Sequence, residues 1–284
     1  MFKNQKEFIS IYETPKGITY SRQSLKNPGG TLIDATYLET PGDMSFVDKI
    51  KDIPPAPNLG VVFTVRPEDY QLFQIKRPMV PETEMDNAIL WVVQDKIFFP
   101  GDNYILSHFP CEKINPVEEI FVVAFKKSTL LENIEAIKKR FKCVLSLKIP
   151  ELSAIGLLDY DDPRHDKFVL YLDSSSGKDM IYVVKNYALL KATLSPIKLD
   201  QEISETLLLT MTETLNMLCQ EHAMKSDFEI HVSPALQQGQ QWIAHLNKTL
   251  KGKVFPAKIA KMRQQNPALF LAIGGGLAYV KESL

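Results

Sequence analysis

The residues best placed to do chemistry are Asp173 and the turn that follows it. Lys167 to Asp173 reads as a strand, Ser174-Ser-Ser-Gly-Lys178 as a polar turn, and Met180 to Lys185 as the returning strand. Small residues and glycine in such a turn leave backbone N–H groups free to cradle an anion. A carboxylate at the strand end can orient a hydrated Mg²⁺. Asp173, Ser174, Ser175 and Gly177 are therefore candidate phosphate-binding residues, although a plain hairpin turn has the same composition.

Other familiar patterns fail on spacing. Gly177-Lys178 is not a P-loop, because Leu172 and Asp179 stand where that motif needs Gly and Ser or Thr. Gly274-Gly-Gly276 has Tyr279 in place of the third glycine of a dinucleotide fingerprint and follows no strand, which points to close helix packing or a kink. His108, His165, His222, His231 and His245 form neither His-x-His nor His-Glu-x-x-His, so no zinc site is expected. There is no Gly-x-Ser-x-Gly nucleophile elbow. Asp159, Asp161, Asp162 and Asp166 read as a solvated loop rather than a metal site. Cys111, Cys143 and Cys219 lie far apart and read as buried thiols.

Composition narrows the class. The chain has 284 residues, 45% hydrophobic and 24% charged, as in an ordinary globular protein of one large domain or two. Its 33 Lys and Arg against 34 Asp and Glu give no global field to hold nucleic acid or an anionic membrane. The longest apolar candidate, 268–280, is too short to span a bilayer, and the polar residues 1–7 show no signal-peptide character. A cytosolic protein without direct membrane insertion is expected.

The elements that would position these residues are mostly legible. Phe8–Tyr12 and Gly17–Tyr20 form a hairpin around a Pro- and Gly-bearing turn. A loop-rich stretch over 27–57 follows, with one short helix at 46–53. Strands at 60–65 and 70–75, a helix entered at Pro81, strands at 104–109 and 119–125, and a helix capped by Ser128 and running to about Phe141 give the order β-β-α-β-β-α. A helix over 149–158 runs into the loop 159–163. Beyond the strand pair at 167–185 come a strand at 188–194, helices at 202–223, 238–250 and 267–281, and strands at 228–232 and 254–255. Both halves of the chain open on a β-turn-β unit, at 8–20 and 167–185, as duplicated α/β folds do.

Two runs carry a family resemblance: Phe63-Thr-Val-Arg-Pro-Glu-Asp-Tyr-Gln-Leu-Phe-Gln-Ile-Lys-Arg-Pro-Met-Val-Pro-Glu82 and Ala88-Ile-Leu-Trp-Val-Val-Gln-Asp-Lys-Ile-Phe-Phe-Pro100. The runs 121–130, 149–156 and 271–277 add to it. Over nearly its whole length the chain resembles the MshI family of mannose-sensitive haemagglutinin (type IV) pilus biogenesis proteins, which is similar to PilM and to the cytoplasmic part of GspL. The resemblance implies an α/β, actin-like (duplicated ribonuclease-H-like) fold with a small inserted α+β subdomain. Residues 1–57 and 147–166 would form the first half, 58–146 the inserted β-β-α-β-β-α subdomain, and 167–284 the second half.

Actin-like proteins bind ATP through two phosphate loops and a glycine pair near the adenosine, and here the resemblance weakens. The first loop should read Asp-x-Gly-Ser-Ser; this chain has Tyr12-Glu-Thr-Pro-Lys-Gly17, with a proline that removes a donor. The second keeps Asp173 but has Ser175 where glycine is usual, and the adenosine region, His231-Val-Ser-Pro-Ala-Leu236, lacks both glycines. The resemblance therefore implies a non-catalytic scaffold, peripheral at the cytosolic face of the inner membrane, with no cofactor. It would grip the N-terminal cytosolic tail of a single-pass, PilN-like or MshJ-like assembly protein beside the inserted subdomain. Phe63, Trp91, Phe98 and Phe99 are candidate partner-binding residues by type. The alternative is an active ATPase or nucleotide switch with Mg-ATP at Asp173, Ser174, Ser175 and Gly177.

Overall fold

The computed structural model describes residues 7–14, 16–25, 31–41, 44–99, 103–111, 118–158, 168–186, 188–222, 224, 228–250, 253–257 and 269–283. The acidic run 159–166 and the loop glycines at 29–30 lie outside the described residues.

Two five-stranded sheets share one plan. The first comprises β1 (Glu7–Thr14), β2 (Gly17–Ser24), β3 (Thr31–Glu39), β4 (Ala56–Thr64) and β8 (Phe141–Lys148), in the order β3-β2-β1-β4-β8. The second comprises β9 (Phe168–Asp173), β10 (Met180–Lys185), β11 (Ala188–Leu194), β12 (Phe228–Val232) and β13 (Val254–Pro256), in the order β11-β10-β9-β12-β13. In each, three antiparallel strands are followed by two parallel ones. The helices repeat as well. The short α1 (Phe46–Lys49) matches α5 (Glu205–Glu221), α3 (Lys127–Lys138) matches α6 (Gly239–Thr249), and α4 (Pro150–Gly156) matches α7 (Phe270–Ser283). The central strands read as nearly continuous apolar runs because both faces are covered: β9 and β10 are buried almost throughout.

Between β4 and α3 the chain leaves the first half to build a three-stranded sheet of order β5-β7-β6 from β5 (Tyr70–Lys76), β6 (Tyr104–Pro110) and β7 (Glu119–Lys126). One helix, α2 (Met85–Val93), covers it through Met85, Ile89 and Val93, which pack on Ile75, Ile120 and Val122. This subdomain also reaches the second half. Gln74 Nε2 donates to the Leu190 carbonyl at 3.0 Å, and the Cys111 thiol lies 3.5 Å from the same oxygen.

The sheet pairing moves the subdomain boundaries. β4 and β8 are parallel neighbours in the first sheet, and α3 packs on β8, so 58–64 and 127–148 belong to the first half and the insertion shrinks to 65–126. Two strands were not read from sequence. β3 lies in the stretch read as loop; it is an edge strand whose half-exposed residues give little alternation, held by β2 on one side and by Phe270 and Ile273 of α7 packing on Leu32, Ala35 and Tyr37. β8 begins at Phe141, where a helix end was expected. α3 stops at Lys138 and Phe141 turns into the core, and α3 starts at Lys127 with no side-chain cap, so Ser128 does not cap it.

The two halves meet along α4 and α7. A Cβ on Gly274 would fall 2.0 Å from the Ser153 carbonyl oxygen, and one on Gly156 would fall 2.3 Å from that of Gly274. The glycine run is thus a packing device that lets two helix backbones touch.

Candidate functional site

β9 delivers Asp173 to the cleft edge, and six residues, 174–179, lead back to Met180, its cross-strand partner. Gly177 supplies the one left-handed position of this turn, at φ 80°, and its N–H donates to the Ser174 carbonyl at 2.9 Å. All four predicted phosphate-loop residues are therefore together. The carboxylate, however, points inward. Asp173 is fully buried; its Oδ2 accepts from the Ser175 hydroxyl at 2.6 Å and from the Ser175 N–H at 3.2 Å, and the Ser233 hydroxyl also donates to it. Burial raises its pKa, and these donors pull the other way. The turn satisfies its own acid, and the Ser175 N–H that an anion would use is already engaged.

The first half holds the counterpart. The last parallel pair of β1 and β4 is Tyr12 with Thr64; that of β9 and β12 is Leu172 with Val232. The next residue is Glu13 in one half and Asp173 in the other. No local motif marks Glu13, because the family pattern has an aspartate followed by glycine at this turn. Its carboxylate is buried and held by Lys49 of α1, Nζ to Oε1 at 2.9 Å, and by Arg66, Nε to Oε2 at 3.3 Å. Arg66 Nε also donates to Asp69 at 3.0 Å. Thr14 pairs with Gly17, so only residues 15 and 16 connect β1 to β2, and proline 15 has no N–H to offer. A two-residue turn cannot wrap a phosphate.

Between the two turns lies a cleft of about 210 Å³ lined by Tyr12, Glu13, Lys49, Arg66, Glu68 and Ser176. Small-molecule sites run roughly 300–1,000 Å³. Its two cations face two glutamates, so it offers no net positive charge to a triphosphate. Lys178 Nζ reaches across to the Pro67 carbonyl at 3.5 Å. Burial, with Glu68 and Glu13 nearby, raises the Tyr12 phenol pKa. Deeper in, the Tyr70 hydroxyl donates to Glu151 at 2.6 Å, and burial raises that carboxyl. After β12 the chain has no glycine pair. Leu236 is buried there, and Asp200 Oδ1 accepts the Gln237 and Gln238 N–H groups at 2.7 and 3.4 Å, just before α6. Lys49, Arg66, Asp200 and Glu151 each find their partners through contacts distant in sequence, and no local motif marks them. Among the described residues no cluster of His, Cys, Asp and Glu could hold a metal ion.

The four aromatic candidates separate. Phe63 is a core residue of β4, 1% exposed, with its ring 5.0 Å from that of Phe46, and cannot meet a partner. It was read as part of the insertion but belongs to the central strands of the first sheet. Trp91 and Phe98 are 75% and 83% exposed on the inserted subdomain, and Phe99 is half-buried.

This duplicated architecture, with its inserted subdomain, is the actin-like fold. The PilM-PilN type IV pilus biogenesis complex contains a chain similar over 97% of this protein and 98% of its own length, with a TM-score of 0.67 and 14% identity. A Bacteroides thetaiotaomicron protein with actin-like ATPase fold and unknown function matches with a TM-score of 0.55 and 14% identity, over 97% and 96% of the two chains. The cytoplasmic domain of EpsL, an inner-membrane component of the type II secretion system of Vibrio cholerae, matches with a TM-score of 0.52 and 11% identity, over 96% and 94%. No protein-family model and no curated protein matches the chain. Among the described residues no helix is long and apolar enough to cross a membrane.

Proposed function

We propose that this protein is a non-catalytic, MshI-like component of a type IV pilus or related secretion assembly platform. It works at the cytosolic face of the inner membrane and binds the N-terminal cytosolic tail of a single-pass, PilN-like or MshJ-like protein. The observation that carries the pseudo-ATPase part is the state of the first phosphate position. Glu13 is locked between Lys49 and Arg66 behind a two-residue turn, where an ATPase would need free donors. The platform part is supported by full-length likeness to the chain from the PilM-PilN complex and to cytoplasmic EpsL.

Thermal unfolding with and without millimolar Mg-ATP tests the first part. A ligand at 100 times its dissociation constant adds about 2.7 kcal/mol, which raises the midpoint of a chain this size by several degrees. No rise is expected. A clear rise that disappears in Asp173→Ala would overturn the pseudo-ATPase reading. Binding of synthetic N-terminal tails from single-pass inner-membrane proteins tests the second part.

A further inference from the structure

The inserted subdomain leaves one face of α2 uncovered. Trp91 is 75% exposed and Val92 43%, Phe98 follows at 83%, and Met79, just before the helix, is fully exposed. Isolated exposed apolar residues are ordinary, but four large ones fall within 20 residues of one small subdomain, and clustered exposed apolar surface marks interaction sites. The segment is not loose. The Phe98 N–H donates to Gln71 Oε1 of β5 at 2.9 Å, which fixes the chain beneath the ring.

Charge decides what can cover this face. Residues 82–98 carry Glu82, Glu84, Asp86 and Asp95 against a single base, Lys96. All five are exposed, and Glu82 is engaged by Arg77. Asp95, in the turn that follows α2, is four residues beyond Trp91 and exposed like it. An anionic lipid surface would meet charge of its own sign. A second copy docked face to face would set acids against acids, because a two-fold interface brings the same patch to itself. A segment with aliphatic anchors and Lys or Arg fits both features. Cytosolic residues close to a membrane-spanning helix are enriched in Lys and Arg.

We infer that the exposed side of α2 and of the segment after it, with Trp91, Asp95 and Phe98, docks a Lys/Arg-bearing, aliphatic stretch of the partner's tail where it nears the membrane. The inference rests on the tail-binding function proposed above and adds to it a surface and a charge requirement.

The probes are fluorescein-labelled synthetic peptides covering the cytosolic N-terminal tails of single-pass inner-membrane proteins encoded in the source genome. Fluorescence anisotropy compares the full chain with Trp91→Ala, Trp91→Phe and Asp95→Lys, all at exposed positions that folding does not depend on. For the tightest peptide, Trp91→Ala is expected to weaken binding about tenfold or more, as a central aromatic anchor would, and Trp91→Phe much less. Asp95→Lys should weaken it several-fold, and wild-type affinity should fall between about 50 and about 300 mM NaCl. Trp91 emission should shift to the blue on docking; the chain's other tryptophan, Trp242, is already fully buried. A tail that binds all variants equally overturns this surface and leaves the tail-binding reading standing. If no tail binds the wild-type chain, both fall. Trp91-dependent binding to phosphatidylcholine–phosphatidylglycerol vesicles without peptide, or Trp91-dependent dimerisation in sedimentation, assigns the face to lipid or to a second copy and overturns the inference.

Discussion

Glu13 and Asp173 occupy equivalent places one residue beyond the last parallel pair of their half-sheets, yet they are satisfied in opposite ways. Asp173 accepts hydrogen bonds from its own turn and from Ser233, and among the described residues no Lys or Arg pairs with it. Glu13 is gripped by Lys49 from a different element, with Arg66 alongside. The difference follows from turn length. Six residues separate Asp173 from its partner Met180 and can fold back to donate to it, whereas the four between Glu13 and Ile18 include a further strand pair and leave only a two-residue turn, so the charge is met from elsewhere in the fold.

Lys49→Met tests that dependence. Lys49 and Glu13 side chains are 2% and 1% exposed, and removing one partner of a buried pair costs about 3–5 kcal/mol. The expected result is a lower urea midpoint with an unchanged slope, and a large recovery in Lys49→Met/Glu13→Leu. If Lys49→Met is neutral, the pair does not hold the cleft.

Phe63 and Phe98 should respond in opposite ways to truncation. Phe63→Ala opens a cavity in the first-half core and should cost about 3–5 kcal/mol. Phe98→Ala, at an exposed position, should stay within about 0.5 kcal/mol. Chemical denaturation of both variants measures this, and equal losses would contradict the burial described here.

Gly274→Ala should destabilise the chain by about 1–3 kcal/mol or more, because the new methyl meets the Ser153 backbone oxygen rather than a movable side chain. Gly177→Ala disturbs no packing, since nothing lies near its Cβ position, and carries only the strain of its positive φ. Thermal midpoints should rank wild type above Gly177→Ala, and that above Gly274→Ala.

Glu151 gives a pH signature. Burial raises its folded-state carboxyl pKa above the ordinary 4.5 of the unfolded chain. The folded state therefore binds this proton more tightly, so the contribution of Glu151 is most favourable below pH 4.5 and is lost as pH rises through the raised value. Glu151→Gln keeps an acceptor for the Tyr70 hydroxyl and removes the ionisation. Relative to wild type, the variant should gain stability on going from pH 4 to pH 7. A constant difference across that range would show that Glu151 ionises normally.

The segments buried on both faces were the most legible. β9, β10 and their turn announced themselves through apolar runs and Gly177, and the long amphipathic α5 through its spacing, because those signals are local and strong. The turn after Asp173 was legible for the same reason: the candidate residues Asp173, Ser174, Ser175 and Gly177 fall within five positions of the sequence. The exposed candidates Trp91 and Phe98 were legible only as types. Phe63, of the same type, went to the core, because exposure depends on which sheet β4 joins.

Sequence alone determined the duplicated α/β order, the polar turn after Asp173, and the missing aspartate and added proline of the first turn. Tertiary structure alone decided the rest. Strands β3 and β8 exist because β2 and β4 pair with them, not because their own residues demand it. The insertion ends at 126 because β8 returns to β4. The Glu13 carboxylate is paired because Lys49 and Arg66 converge on it from 36 and 53 residues away along the chain. Local spacing fixes the preference of a segment for helix, strand or turn. Which charges meet in a cleft depends on contacts between segments distant in sequence, and only the folded packing brings those together.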